Sequence, residues 1–332
     1  MKPRLLAAVT AALLTITMAG CSASPSTPAT PGLTKLTIGL TYQPDIQFAP
    51  IYVAAKEGFF AQAGLDVIIR HHGASESLFG ALQAGQEDVV FAGGDEMMQA
   101  RSQGVDVVNI ATIYQQYPLA ILTPVNTPFH DVVSLKGRSI GLPGEYGENW
   151  FALLLLLQQN NMTVDDVNVV SIGYTQQAAL MGGKVDAVVG FVNNDAVRLA
   201  AADFPVQMMP LTGLIGSGLG VSSKTLKNQT PALTAMWGAI AKAMAICVDA
   251  PQQAINDSMS FVPGLDQADN QKMAMATLTA TTKLYGTRAD FGQQDSATWA
   301  SMADFMSSAG LLDKPVVATD AYTTQIVPPI VS

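Results

Sequence analysis

Hydrophobic positions along this chain switch repeatedly between a period of two and a helical period, and the switches fall at glycines. Leu36-Thr37-Ile38-Gly39-Leu40 reads as a strand, and Tyr42 to Phe48 follows as a polar and aromatic loop. Ile51, Ala54 and Ala55 then recur at helical spacing up to Gly58, before a second strand at Val67-Ile68-Ile69. The spacing predicts a helix over 77–83 closed by Gly85, a buried strand over 89–92, and a helix running through Arg101 to near Gly104 with Asp95 as its N-cap. Val105 to Ile113 is another apolar run, Leu119 to Leu122 continues extended, and Leu135 to Leu142 starts a fresh strand after a turn. A strongly apolar helix is expected over 151–157, a capped turn at Thr163, a strand at 169–172, a short helix at 176–181 and a strand at 185–190. Gly213 to Gly220 is a glycine-rich return, and Thr230-Pro231 opens a long helix with its cap and first-turn proline in place. Helices punctuated by Gly286, Gly310 and Pro315 fill the remainder.

Two of these units share one logic. Ala81-Leu82-Gln83-Ala84-Gly85-Gln86-Glu87-Asp88-Val89-Val90-Phe91-Ala92 and Ala179-Leu180-Met181-Gly182-Gly183-Lys184-Val185-Asp186-Ala187-Val188-Val189-Gly190 each end a helix in a glycine turn, place an aspartate and launch a β-branched strand. A weak internal repeat of this kind predicts two similar α/β lobes. In open α/β sheets ligands sit at the carboxyl ends of the strands, which directs attention to three loops. The first holds Tyr42, Asp45, Gln47 and Phe48. The second, Pro143 to Trp150, offers Tyr146 and Trp150 for stacking and Glu145 or Asn149 for hydrogen bonding. The third is Phe191-Val192-Asn193-Asn194-Asp195. Two roles are open to Tyr42 and Phe48: packing the first helix onto the sheet, or holding a flat polar molecule. Asp95, after Gly93-Gly94, can cap its helix and also accept hydrogen bonds from a ligand.

Composition narrows the class. The 332 residues are 49% hydrophobic and 13% charged, a globular balance with room for about two domains. Lys2 and Arg4 precede an apolar run from Leu5 to Met18, as in an export signal over 1–20. That run is too short for a membrane span. Met18-Ala19-Gly20-Cys21 resembles a bacterial lipobox, with Met where Leu is usual; it implies a lipid on Cys21 and an extracytoplasmic, membrane-anchored location. Residues 21–34 are rich in Ser, Pro and Thr and read as a tether. Losing residues 1–20 removes Lys2 and Arg4 and no acid, taking the net charge from −9 to −11. So acidic a body argues against nucleic-acid binding. With Cys21 acylated, Cys247 has no disulfide partner and behaves as a small core hydrophobe.

The run Tyr42-Gln43-Pro44-Asp45-Ile46-Gln47-Phe48-Ala49-Pro50-Ile51-Tyr52-Val53-Ala54, with Glu57-Gly58-Phe59-Phe60 and Ala63-Gly64-Leu65-Asp66-Val67, resembles the opening of the NMT1/THI5-like family of periplasmic binding proteins. That family serves ATP-driven importers of thiamine-pyrimidine precursors, riboflavin or sulfonates. The resemblance implies an α/β periplasmic binding protein type II fold, two α/β lobes joined by a two-segment hinge. Residues 35–124 and 212–332 would form lobe 1 and 125–211 lobe 2. The ligand would meet Tyr42, Gln47, Phe48, Asp95, Tyr114 and Tyr117 from one side and Tyr146, Trp150 and Asn193 from the other. Relatives often carry Asn-Glu-Pro where this chain has Asn194-Asp195-Ala196, a departure in the third loop.

An aromatic, neutral-polar set with only Arg101 nearby argues against an anionic sulfonate. It fits a flat heterocycle, with a thiamine pyrimidine of the hydroxymethylpyrimidine type ahead of riboflavin. The expected protein is a monomer that binds without cofactor or metal and partners an ABC importer permease. An enzyme is the competing class, because eukaryotic relatives make the pyrimidine from their own histidine with a cysteine-rich iron motif. Here His71-His72 follow the second strand, but no cysteine cluster accompanies them.

Overall fold

The computed structural model describes residues 32–73 and 76–330. The expected signal segment, Cys21 and nearly all of the tether lie outside the described residues. Within them, ten strands build two five-stranded sheets. The first contains β1 (Thr34–Leu40), β2 (Leu65–His71), β3 (Val89–Gly93), β4 (Val108–Thr112) and β10 (Ser217–Val221), in the order β2-β1-β3-β10-β4. The second contains β5 (Leu119–Pro124), β6 (Ser139–Leu142), β7 (Asn168–Ser171), β8 (Ala187–Phe191) and β9 (Val206–Pro210), in the order β7-β6-β8-β5-β9. In each, four strands run in one direction, three of them paired side by side, and one strand runs against the rest: β10 against β3 and β4, β5 against β8 and β9.

Period-two patterning sets the faces. Leu36, Ile38 and Leu40 enter one core with the helix Ala49–Lys56 and the buried stripe Leu233, Met236, Trp237, Ile240, Met244 and Cys247 of Ser223–Asp249. Val90 and Ala92, on the other face, pack against Met97 and Ala100. Leu119 and Ile121 point to one side of the second sheet and Ala120 and Leu122 to the other. Such two-sided burial is what near-continuous apolar strands require. The long helix Ser223–Asp249 breaks at Gln229, whose φ −126 and ψ 19 are not helical, just ahead of Pro231.

The internal repeat is also a repeat of hydrogen bonds. Asp88 Oδ2 accepts from the Thr37 N–H at 2.8 Å, and the Asp88 N–H donates to Thr37 O at 3.0 Å. In the second sheet Asp186 does the same with Ser139, at 2.8 and 3.0 Å. Each aspartate pins the strand it starts to its parallel neighbour.

Three expectations need correction. The chain leaves the first sheet within residues 113–118, earlier than Pro124, because β5 pairs with β8 and Pro118 O already accepts from the Val192 N–H. Phe151 is not the start of its helix: Gly147–Gln159 begins at Gly147, with φ +68, after an extended Tyr146. Finally, the C-terminal helix Ser296–Ser308 does not pack only with the first lobe. Trp299, Met302 and Met306 join Leu142, Phe151 and Leu211 in a core that also holds Met98.

Candidate ligand-binding cleft

A cavity of about 580 Å³ opens between the carboxyl ends of the two sheets, within the range of small-molecule sites. β1 delivers Thr41 and Tyr42, β3 delivers Gly93, β4 leads to Tyr114, β6 leads to Pro143 and β8 ends at Phe191. Strand ends fix these positions, so loops need only short reaches into the space.

On the first lobe, Asp45 Oδ1 accepts from the Gln47 N–H at 3.0 Å and caps the turn Ile46–Phe48. That cap sets Gln47 and Phe48 on the cavity wall. Phe48 is largely buried and meets Phe91 edge to face at 5.3 Å, and Phe91 meets Tyr114 at 5.8 Å. The Tyr114 hydroxyl is buried without a hydrogen-bond partner. Both roles left open for Phe48 therefore apply: it packs the core and shows an edge to the cavity. Tyr42, 42% exposed, stands at the mouth. Across from it the second lobe presents Tyr146, 57% exposed, and Tyr174, 80% exposed.

Five of the nine expected residues thus line one cavity: Tyr42, Gln47, Phe48, Tyr114 and Tyr146. The other four do not. Asp95 is not an N-cap, because its helix Gly94–Ser102 starts one residue earlier. It is fully buried, accepting from the Tyr117 hydroxyl at 2.6 Å and from the Glu96 N–H at 2.8 Å. Tyr117 is turned away from the cavity by that same bond. Trp150 lies inside the helix Gly147–Gln159 and packs against the second core. Asn193 is fully buried and donates to Thr281 Oγ1 at 3.0 Å; its neighbours Asn194 and Asp195 reach the cavity instead.

The structure adds residues that sequence reasoning passed over. Arg198 is the one cation among the described residues that line the cavity, with Nε donating to Asn194 Oδ1 at 2.7 Å. Its position, three residues after Asp195 on a helix, was a usable signal. Glu96 and Glu148 line the inner end, each from the first turn of a helix, one per lobe. Asp95 stands behind them. Burial raises all three carboxyls, Asp95 to about 6 against the hydrogen bonds that it accepts; the neighbouring acids add repulsion for Glu96, raised to about 8, and for Glu148, raised well above the ordinary carboxylate range.

His71 and His72 are engaged elsewhere. His71 sits within hydrogen-bond distance of the Tyr52 hydroxyl and of Tyr42 O, and His72 Nε2 lies 2.8 Å from Glu87 Oε1. His72, Glu76 and Glu87 cluster closely enough to hold an ion. The Arg70 guanidinium, however, bonds both glutamates at 2.6 Å and already supplies the positive charge.

Two α/β lobes, each with one antiparallel strand, crossed twice by the chain around a cleft at their strand ends, define the type II periplasmic-binding fold. The chain belongs to the NMT1/THI5-like family, whose model matches residues 45–254. It is 31% identical to the riboflavin-binding protein RibY of Chloroflexus aurantiacus, over 98% of this chain and 95% of that one. It is 23% identical to the formylaminopyrimidine-binding protein of Halalkalibacterium halodurans, over 88% of this chain and 90% of that one. Among solved structures, the periplasmic aliphatic sulphonate binding protein SsuA of Escherichia coli matches in fold with a TM-score of 0.72 at 16% identity, covering 88% of this chain and 98% of its own.

Proposed function

We propose that the chain is the extracytoplasmic solute-binding lipoprotein of an ABC importer and that its solute is riboflavin. The full-length likeness to a riboflavin-binding protein carries this reading and reverses the order expected from sequence, which put a thiamine pyrimidine first. Cleft chemistry supports it. Tyr42 from one lobe and Tyr146 and Tyr174 from the other line the same cavity, three rings available to a flat ring system, while Gln47 and Asn194 offer edge hydrogen bonds. Glu96 and Glu148 at the inner end leave an anionic sulfonate no cation there, whatever the fold neighbour binds. No chemical step is assigned: the site has hydrogen-bonding and stacking groups, and His71 and His72 are committed to lobe-one contacts. Closure follows from differential contact, since only a closed cleft lets the solute touch both lobes.

Riboflavin at about a hundred times its dissociation constant is expected to stabilise the protein by roughly 2.7 kcal/mol. Flavin fluorescence titration and thermal unfolding of dialysed protein measure it. If riboflavin shifts nothing and formylaminopyrimidine does, the pyrimidine reading supported by the second relative replaces this one.

The anchor is a separate expectation. Cys21→Ala should move the protein from the membrane fraction to the soluble one with unchanged solute affinity. Retention of the variant in washed membranes would refute lipidation at Cys21.

A further inference from the structure

Glu148 of the second lobe and Glu96 of the first reach past each other at the cleft floor. Gly93 ends β3, and a β-carbon there would overlap the Glu148 carboxyl. Its backbone, at φ −63 and ψ 142, is open to any residue, so glycine here serves close approach and not conformation. Glu96 makes the reverse crossing, with Oε1 3.8 Å from where a β-carbon would stand on Gly147, at the start of the second-lobe helix. Glu96 Oε2 accepts from the Gly93 N–H at 3.1 Å. Glu148 Oε1 is enclosed and has no hydrogen-bond partner.

Other charged and titratable groups around the pair are few. Asp95 lies behind both, on the helix Gly94–Ser102, and Tyr117 from the first crossing segment donates to it. Tyr114 feels the Glu148 charge and Tyr174 that of Glu96. Tyr42, Tyr146, Asp195 and Arg198 stand further along the same cavity. None places a cation between the two glutamates. Two bare carboxylates from opposite lobes would repel across a low-dielectric floor; one proton between them turns that repulsion into a hydrogen bond.

We propose that Glu96 and Glu148 share one proton across the cleft floor and act as a clasp that holds the lobes together while the proton is present. Glu148 is then a positioning residue: its shared proton is held against Glu96, and its unpartnered Oε1 is left to accept an N–H from the inner edge of the heterocycle. This rests on the cavity being the solute cleft. It makes affinity proton-linked, with release favoured once both groups ionise.

The sign is fixed by linkage. Carboxyls raised in the folded state contribute stability that is full below their unfolded pKa, near 4.5, and is lost as pH rises through the folded value, about 8 for Glu96. The Tm of the ligand-free protein should therefore fall between about pH 4.5 and 8, by on the order of 10 °C from this pair. Glu148→Gln keeps the shape of the neutral acid and should remove most of that fall; Glu96→Gln is the second variant and should act likewise. Asp95, raised to about 6, and Asp45 and Asp195, also raised by burial, contribute a background slope that all three proteins share. Riboflavin affinity of the wild type should drop about tenfold per pH unit once the pair ionises, and stay flatter in Glu148→Gln. Failure of riboflavin to bind at any pH would refute the proposed solute, while the ligand-free Tm profiles still decide the clasp. Parallel Tm profiles for wild type and both variants would overturn it.

Discussion

Trp299→Ala is expected to lower folding stability by about 3–5 kcal/mol, the range for removing a fully enclosed indole. Trp299 has no exposed surface, stacks on Tyr322 at 5.2 Å and 12°, and donates its Nε1–H to Gln294 Oε1 at 2.9 Å. Its neighbours in the core come from the helix Gly94–Ser102, from the second crossing segment at Leu214 and Ile215, and from the second lobe. The loss therefore falls where the two lobes and both crossings meet. Thr112 Oγ1 still donates to Gln294 Oε1 at 3.0 Å, so the cavity, not an orphaned acceptor, dominates the expected effect. Taken at about 2–4 °C per kcal/mol, Tm should drop by roughly 6–20 °C. Urea unfolding and calorimetry measure this directly. A loss under about 1 kcal/mol would mean that the C-terminal helix is an accessory to the fold.

The same helix shows where sequence stopped being informative. Trp299, Met302 and Met306 at helical spacing say that one face is buried, but not against which lobe. Likewise the apolar run Leu119–Leu122 declares a buried strand and is silent on its sheet, which depends on a partner distant in the chain. Local rules succeeded where cause and effect were local. The Gly-turn, Asp and strand repeat around Asp88 and Asp186 was legible, and the structure gives it matching hydrogen bonds. Strand ends located Tyr42, Gln47, Phe48, Tyr114 and Tyr146 on one cavity. Loop periodicity is too weak to say which of two neighbours faces inward. Asn193 was expected where Asn194 stands, and Trp150 where Glu148 enters the cleft at the first turn of its helix. The carboxyl floor was invisible for another reason: Glu96 and Glu148 meet only because the two lobes do.

Tyr42→Ala and Tyr146→Ala should each weaken solute binding by about 1–3 kcal/mol, the range for a ring stacked on a base. That is roughly a 5- to 150-fold rise in Kd for each, one of them on each lobe. Both rings line the cavity and are 42% and 57% exposed, so the Tm measured without solute should hardly move. Phe48→Ala is the contrast: its ring is buried against Phe91, and its truncation should lower stability before it says anything about binding. Trp150→Ala is the second contrast, because Trp150 packs on the second core and should affect Tm more than affinity. Combined, Tyr42→Ala and Tyr146→Ala should be less damaging than the two losses added. Once one ring is gone the solute no longer holds the lobes in the closed form, and the second ring has less to grip. Isothermal titration of the single and double variants with riboflavin, beside their Tm values, separates these cases. Unchanged affinity in both single variants, with full binding by wild type, would place the solute elsewhere than between these two rings.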